Sequence, residues 1–292
     1  MTMLTYQEVL GLRGASADTG TNFYALIDHA GMPGVVHELN RTRADWVSLF
    51  EGSRDEGALS VAPLLILIDS GASAFRTRAL VKWMCEHGTY TSSIAFLSSP
   101  LSLCELARRL SLRLDAALPD KIEIVLRFFD GRILESLLST LYASQKAAFL
   151  NVAHQWWYVN RAGQIISVDA KFSAIETSDV PLILDAAQED LLLDACEPDQ
   201  IGASLLTCVP HEYQKLSPCL RHQFILNNVT RARVFGLDST YELSLYCSLA
   251  LLYGIDFPEQ PAWKDALTMV RTGKTDLTDV VMKIEQSKQL QE

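Results

Sequence analysis

The stretch Ile122–Leu141 constrains the fold of this chain most. Its first half, Ile-Glu-Ile-Val-Leu-Arg-Phe-Phe from residue 122 to 129, is apolar and β-branched, which predicts a buried strand. At Asp130 the period changes. Leu134, Leu137, Leu138 and Leu141 recur at helical spacing and form one stripe. Asp130 stands at the junction, where its side chain can accept from the free amides of the first helical turn. Arg127 is a charge at the end of an apolar strand and needs a partner. Its expected role is an arginine–carboxylate clamp at the strand-to-helix turn. Removing it is expected to cost several kcal/mol by stranding a buried carboxylate. The other role for Arg127 is ligand binding or catalysis, and nothing nearby in the sequence completes such a site.

Arg127, Phe128, Phe129, Asp130, Arg132 and Leu134 together resemble the signature of the type VI secretion effector chaperones, the Tap or Tec adaptors. That signature usually reads Arg-Phe-Tyr-Asp-Pro-Arg-Val-Leu. Gly131 departs from it. Proline suits the first helical position because its φ is already helical, so glycine is expected to keep the turn but loosen it. Tyr24, Ala25, Leu26, Asp28 and Ala30 match the strand that opens the family's domain, with His29 in place of a small residue. The Leu49–Gly52 segment, the strand introduced by Pro63, the tryptophan-containing strand near 156, and segments 232–240 and 249–257 are also similar to the family. The resemblance implies a chaperone that binds a toxic effector, usually through the effector's N-terminal region, and delivers it to the valine-glycine-repeat spike protein (VgrG). It implies no catalysis and no cofactor. Arg127, Phe129, Asp130 and Arg132 are its structural motif.

The rest of the chain is legible as alternating elements. Strands are predicted at Phe23–Asp28, 62–68 and Ser93–Leu97, with helices at 72–87 and from about 101 to 114. In the second of these helices Leu103, Leu106, Ala107, Leu110 and Leu114 form the stripe, and Arg108, Arg109 and Arg113 are placed off it. Trp46, Leu49 and Phe50 cluster at helical spacing. Trp156–Val159 and Gln164–Val168 flank a turn and read as a β-hairpin. Lys171–Val180 reads as a linker, and from Pro181 onward the patterns are helical. Leu245, Ser248, Leu249 and Leu252 make one of those stripes. The expected architecture is an α/β domain over 1–170, with a mixed, partly parallel sheet closed by the hairpin, followed by an all-α lobe over 171–292.

Charge and motifs narrow the function. The chain has 292 residues and a formal net charge of −10. This argues against general nucleic-acid binding, which needs clustered Lys and Arg. No leader is apparent, and no apolar run reaches the roughly 18 residues of a membrane span. The six scattered cysteines (85, 104, 196, 208, 219, 247) suit free thiols in a reducing cytoplasm. Nucleotide-loop patterns are missing. Gly71-Ala72-Ser73-Ala74 lacks the second glycine of a nucleophile elbow. His211 and His222 read as capping or surface residues. Asp185, Glu189, Asp190 and Asp194 read as a solvated acidic helix face. The negative charge is expected to steer basic effector segments. Candidate partner-binding residues are Trp46, Trp156, Trp157, Arg231, Arg233 and Tyr253. One of the two adjacent tryptophans is expected to face the core and the other to lie on the opposite face. Arg231 and Arg233, near Asn227 and Asn228, suit either a polar groove or ordinary surface. The alternative function is an α/β enzyme with a helical lid acting on an unidentified small molecule, which rests on architecture alone.

Overall fold

The apolar runs near residues 23, 63, 94 and 156 become strands of one sheet, and each sends alternate side chains into two different cores. The computed structural model describes residues 3–15, 20–68, 74–176 and 181–289. The chain divides into two compact units, Met1–Asp194 and Ala195–Glu292. In the first, α1 (Tyr6–Ala15) is followed by β1 (Asn22–Asp28), α2 (Val35–Thr42), β2 (Trp46–Ser48), a 3-10 turn (Glu56–Val61) and β3 (Pro63–Leu67). Next come α3 (Ala74–Gly88), β4 (Ile94–Ser99), α4 (Leu103–Leu112), β5 (Asp115–Ala117) and β6 (Glu123–Val125). Then follow α5 (Gly131–Thr140), α6 (Ala143–Leu150), β7 (Gln155–Val159), β8 (Ile165–Asp169) and β9 (Leu182–Ile183). The boundary between the units falls inside α7 (Ala186–Cys208).

The large sheet has the order β2-β3-β1-β4-β7-β8, and every neighbouring pair is antiparallel. Tyr24, Leu26, Leu65, Leu97, Trp156 and Tyr158 point to one face, packed with Leu106 and Leu110 of α4, Leu134 and Leu137 of α5, and Phe149 of α6. Phe23, Ala25, Ile27, Ile66, Phe96 and Trp157 point to the other, packed with Val9, Val35, Leu39, Leu80 and Met84 from α1, α2 and α3. Both faces are therefore covered. A strand covered on both faces must be apolar at every position, whichever way its neighbours run. Parallel pairing occurs in the small sheet β6-β5-β9, between β5 and β9.

Several local expectations change. The strand expected over 122–129 is reduced to β6. Leu126, Phe128 and Phe129 beyond it are buried in an irregular turn, where Phe128 sits edge-on to Phe149 at 5.3 Å and to Trp156 at 6.4 Å. Their apolarity serves a core position, not a ladder. Trp46 lies in a sheet strand, so its spacing to Leu49 and Phe50 is not helical. Leu182 and Ile183, read as helix, pair with Ala116 and Ala117. Residues 71–73 of the Gly-Ala-Ser-Ala segment and 177–180 of the expected linker lie outside the described residues.

In the second unit α7 continues, followed by α8 (Pro210–Lys215), α9 (Pro218–Arg233), α10 (Thr240–Tyr253), a 3-10 turn (Phe257–Glu259), α11 (Pro261–Arg271) and α12 (Leu277–Gln289). Prolines open α8, α9 and α11, where a missing N–H costs no helical bond. A capping box of Ser239 and Glu242 starts α10. Its core gathers Ile201, Ile225, Leu243, Tyr246, Phe257, Trp263 and Leu277. Among the described residues no helix is long and apolar enough to cross a membrane.

Candidate functional site

The motif residues meet at the end of β1. Asp28 is buried, and its amide donates to the Ser93 carbonyl at 2.9 Å. Its carboxylate accepts from the Ala30 amide at 3.1 Å and from Arg127 Nη2 at 3.0 Å. The Arg127 side chain is 50% exposed and lies over the Phe129 ring, 5.7 Å from its centroid. Arg127 is thus a half-exposed cover over a buried carboxylate, and not a buried charge at a strand end. Asp130 is buried and caps α5 by accepting from the Arg132 amide at 3.0 Å, while the Arg132 guanidinium closes on it at 2.7 Å. Arg127 and Arg132 therefore serve two different carboxylates.

Gly131 is held more tightly than its residue type suggests. Its amide donates to the Ser92 carbonyl at 2.6 Å. A Cβ at this position would stand 2.7 Å from the Val159 carbonyl oxygen and 3.0 Å from that of Ser92. Proline offers no N–H for this bond. The loosening expected of glycine is overturned here, because the bond and the close backbone approach fix the turn.

A second polar cluster went unread in the sequence. Arg113 has a fully buried side chain that donates to the carbonyls of Phe149, Arg109 and Ala148, to Asn151 Oδ1, and to both oxygens of Glu176. Burial lowers its pKa, and the Glu176 carboxylate opposes that shift. Arg109, also buried, binds Glu105 at 2.9 Å and the carbonyls of Ser173 and Ala174. Three hydrogen bonds, two from Arg108 and one from Arg109, hold the Glu105 carboxyl down at about 2. Residues 173–176 are thus strapped to Arg109 and Arg113 and are not a free linker. The signal was present: Leu106, Arg109, Leu110, Arg113 and Leu114 share helical spacing, so both arginines lie on the apolar stripe.

A half-open pocket of about 530 Å³ lies between the β2 edge and α4. Val47, Ala107, Leu112 and Leu114 supply its apolar lining, and Glu51, Arg54, Asp55, Arg108 and Asp115 its charges. Arg54 is tied to Asp115 at 3.0 Å and Glu123 at 2.5 Å. None of the residues read from the sequence as partner-binding lines this pocket.

Those candidates scatter. Trp156 and Trp157 are both buried, because helices cover both faces of β7, so neither can be a surface contact. Trp156 donates to the Leu150 carbonyl at 3.1 Å. Trp46 is half-buried against the core of α1–α3. In the second unit, Arg231 binds the Ile255 carbonyl at 2.7 Å and Arg233 binds Glu197 at 2.7 Å. Tyr253 is half-buried beside Trp263, 5.4 Å between ring centroids. Among the described residues no group of three or more His, Cys, Asp or Glu side chains is placed to hold a metal ion.

The residues that build the Asp28 and Asp130 carboxylate sites and the pocket fall in one segment of the chain. Residues 23–148 match the family model described as Domain of unknown function (DUF4123). The DUF4123 family is associated with type VI secretion effector adaptors and not with a catalysed reaction. The DUF4123-like segment runs from β1 into α6 and excludes the helical unit. No curated protein and no solved structure matches the chain.

Proposed function

We propose that this chain is a cytoplasmic adaptor that binds one type VI secretion effector, through the effector's N-terminal region, and loads it onto a VgrG-type spike without catalysis. The observation that carries this reading is the DUF4123 match over residues 23–148, which includes the whole Arg127–Leu134 signature. The internal bonding of the motif supports it. Arg127 is bonded to Asp28 of β1, and Arg132 to Asp130 at the start of α5, which suits a scaffold. The effector surface then lies outside the motif, with apolar anchors inside a polar rim. The pocket between β2 and α4 offers one such anchor site.

The test is affinity purification of the tagged chain from the lysate of its native host, followed by reconstitution with the recovered effector and spike. A 1:1 complex with one toxin-like protein, and transfer of that protein to the spike, is the expected result. Failure to form a complex with any protein encoded beside a spike gene, across salt conditions, overturns it.

A further inference from the structure

Strand β2 ends the large sheet, so one of its edges has no neighbour in that sheet. The pairing with β3 decides which backbone groups face that edge. Leu67 donates to the Asp45 carbonyl and Leu49 to the Pro63 carbonyl, each at 2.9 Å, and Val47 stands opposite Leu65 between them. Val47 therefore turns its N–H and C=O to β3, and Trp46 and Ser48 turn theirs outward. Among the described residues, the Trp46 amide, the Trp46 carbonyl and the Ser48 amide have no hydrogen-bond partner. The Ser48 carbonyl receives only the Glu51 amide, at 3.4 Å.

The half-open cavity of about 530 Å³ lies beside this same edge. Val47 lines it and packs on the α4 side of the sheet, where Ala107, Leu112 and Leu114 complete the apolar wall. A strand laid against β2 would lie about 4.8 Å further out. Its residue opposite Val47 would share the face of Val47 and send its side chain toward the cavity. Two independent features thus ask for one occupant. Backbone groups free at two-residue spacing require an extended backbone, and the apolar cavity requires one apolar side chain on it. The charges set what flanks that side chain. Arg54 is held by Asp115 and Glu123, and Arg108 by both oxygens of Glu105. Glu51, at the cavity and exposed, has no cationic partner among the described residues, so a basic flanking residue completes the fit.

We propose that an extended segment of the effector adds to the free edge of β2, antiparallel to it, with one apolar side chain in the cavity and a basic residue near Glu51. That the segment comes from the effector rests on the adaptor reading above. The strand addition itself does not.

The experiment uses the full chain and a labelled peptide, Lys-Val-Thr-Leu-Thr-Val-Lys, read by fluorescence anisotropy, with Phe or Asp replacing the leucine in two others. The Leu and Phe peptides are expected to bind, and the Asp peptide to bind at least about tenfold more weakly. N-methylation of both threonines removes the donors to Trp46 and Ser48 and is expected to abolish binding of the Leu peptide. The bound Leu peptide is expected to slow amide exchange at Trp46 and Ser48. It is also expected to shield the exposed Cys104 thiol at the cavity, but not the exposed Cys208, from iodoacetamide. Cys104→Trp, which fills the cavity, is expected to weaken binding about tenfold or more, with an unchanged circular dichroism spectrum. Failure of the Leu and Phe peptides to bind at millimolar concentration, equal binding of the N-methylated peptide, or binding that leaves Trp46, Ser48 and Cys104 unprotected overturns the proposal. So does a chain that dimerises through this edge, with both amides already protected when no peptide is present. The Cys104→Trp variant is then tested for effector capture. If it captures the effector as well as the unaltered chain does, the effector docks elsewhere and the adaptor reading stands. If no effector is captured while the Leu peptide binds as expected, strand addition stands and the adaptor reading falls.

Discussion

Three residues show how far a side chain's role depends on its surroundings. Arg127 and Arg113 are both arginines bonded to a carboxylate, yet they differ in exposure. Arg127 is half in water, so Arg127→Ala is expected to cost about 1–2 kcal/mol, chiefly by leaving Asp28 with fewer partners. This is less than its place in an apolar run implied. Arg113 has no exposed side-chain surface, and its loss strands Glu176, Asn151 and three carbonyls. Arg113→Ala is expected to cost about 3–5 kcal/mol. Urea denaturation of both variants checks the order. An Arg127 variant destabilised as much as the Arg113 variant would sink this account. Gly131 inverts a comparison with the resembling family. Gly131→Pro installs the residue common in that signature but removes the bond to Ser92 and presses on Val159. It is expected to destabilise by about 2 kcal/mol or more. A Tm equal to or above that of the unaltered chain would refute it.

At the scale of elements, the period of a pattern was more reliable than its assigned face. The helix after Asp130 starts and caps where the sequence indicates, because capping and a leucine stripe are local properties. In α10 the stripe Leu245, Ser248, Leu249 and Leu252 is not the buried one. Leu243, Tyr246, Cys247, Leu249 and Ala250 are buried, and Leu252 is exposed. This helix is apolar over most of its circumference, so its sequence contains several stripes of equal merit. Leu243→Ala is expected to cost about 2–5 kcal/mol, and Leu252→Ser to stay within about 0.5 kcal/mol. Thermal denaturation of the two variants tells them apart, and similar losses in both would mean the assigned faces are wrong. Strand β6 failed differently. An apolar run of eight residues does not say whether it feeds a ladder or a turn pressed into the core, and for Phe128 and Phe129 the core decided.

At the scale of the whole molecule, burial sets the response to alkali. The phenols of Tyr24, Tyr158 and Tyr246 are pushed up to about 12, foremost by burial. The thiols of Cys85 and Cys247 rise to about 12 for the same reason. In each case the folded chain keeps a proton that the unfolded chain releases earlier. Their contribution to stability is whole below the unfolded values of 9.0 for thiols and 10.0 for phenols, and is lost as pH rises to about 12. Tm is therefore expected to fall steeply above pH about 9. A flat Tm through that range would show these groups to be solvated. Composition, period and capping residues alone established most of the long strands and helices, that the second half is helical, and where the Arg127–Leu134 turn lies, because each is written in neighbours a few positions apart. Three features waited for the tertiary structure: the antiparallel order of the sheet, the burial of both Trp156 and Trp157, and the capture of Arg109 and Arg113 by residues 148–176. Strand direction, second-face coverage and partner choice are all contacts between segments distant in the chain. A local pattern records that such contacts are needed, but not which segment supplies them.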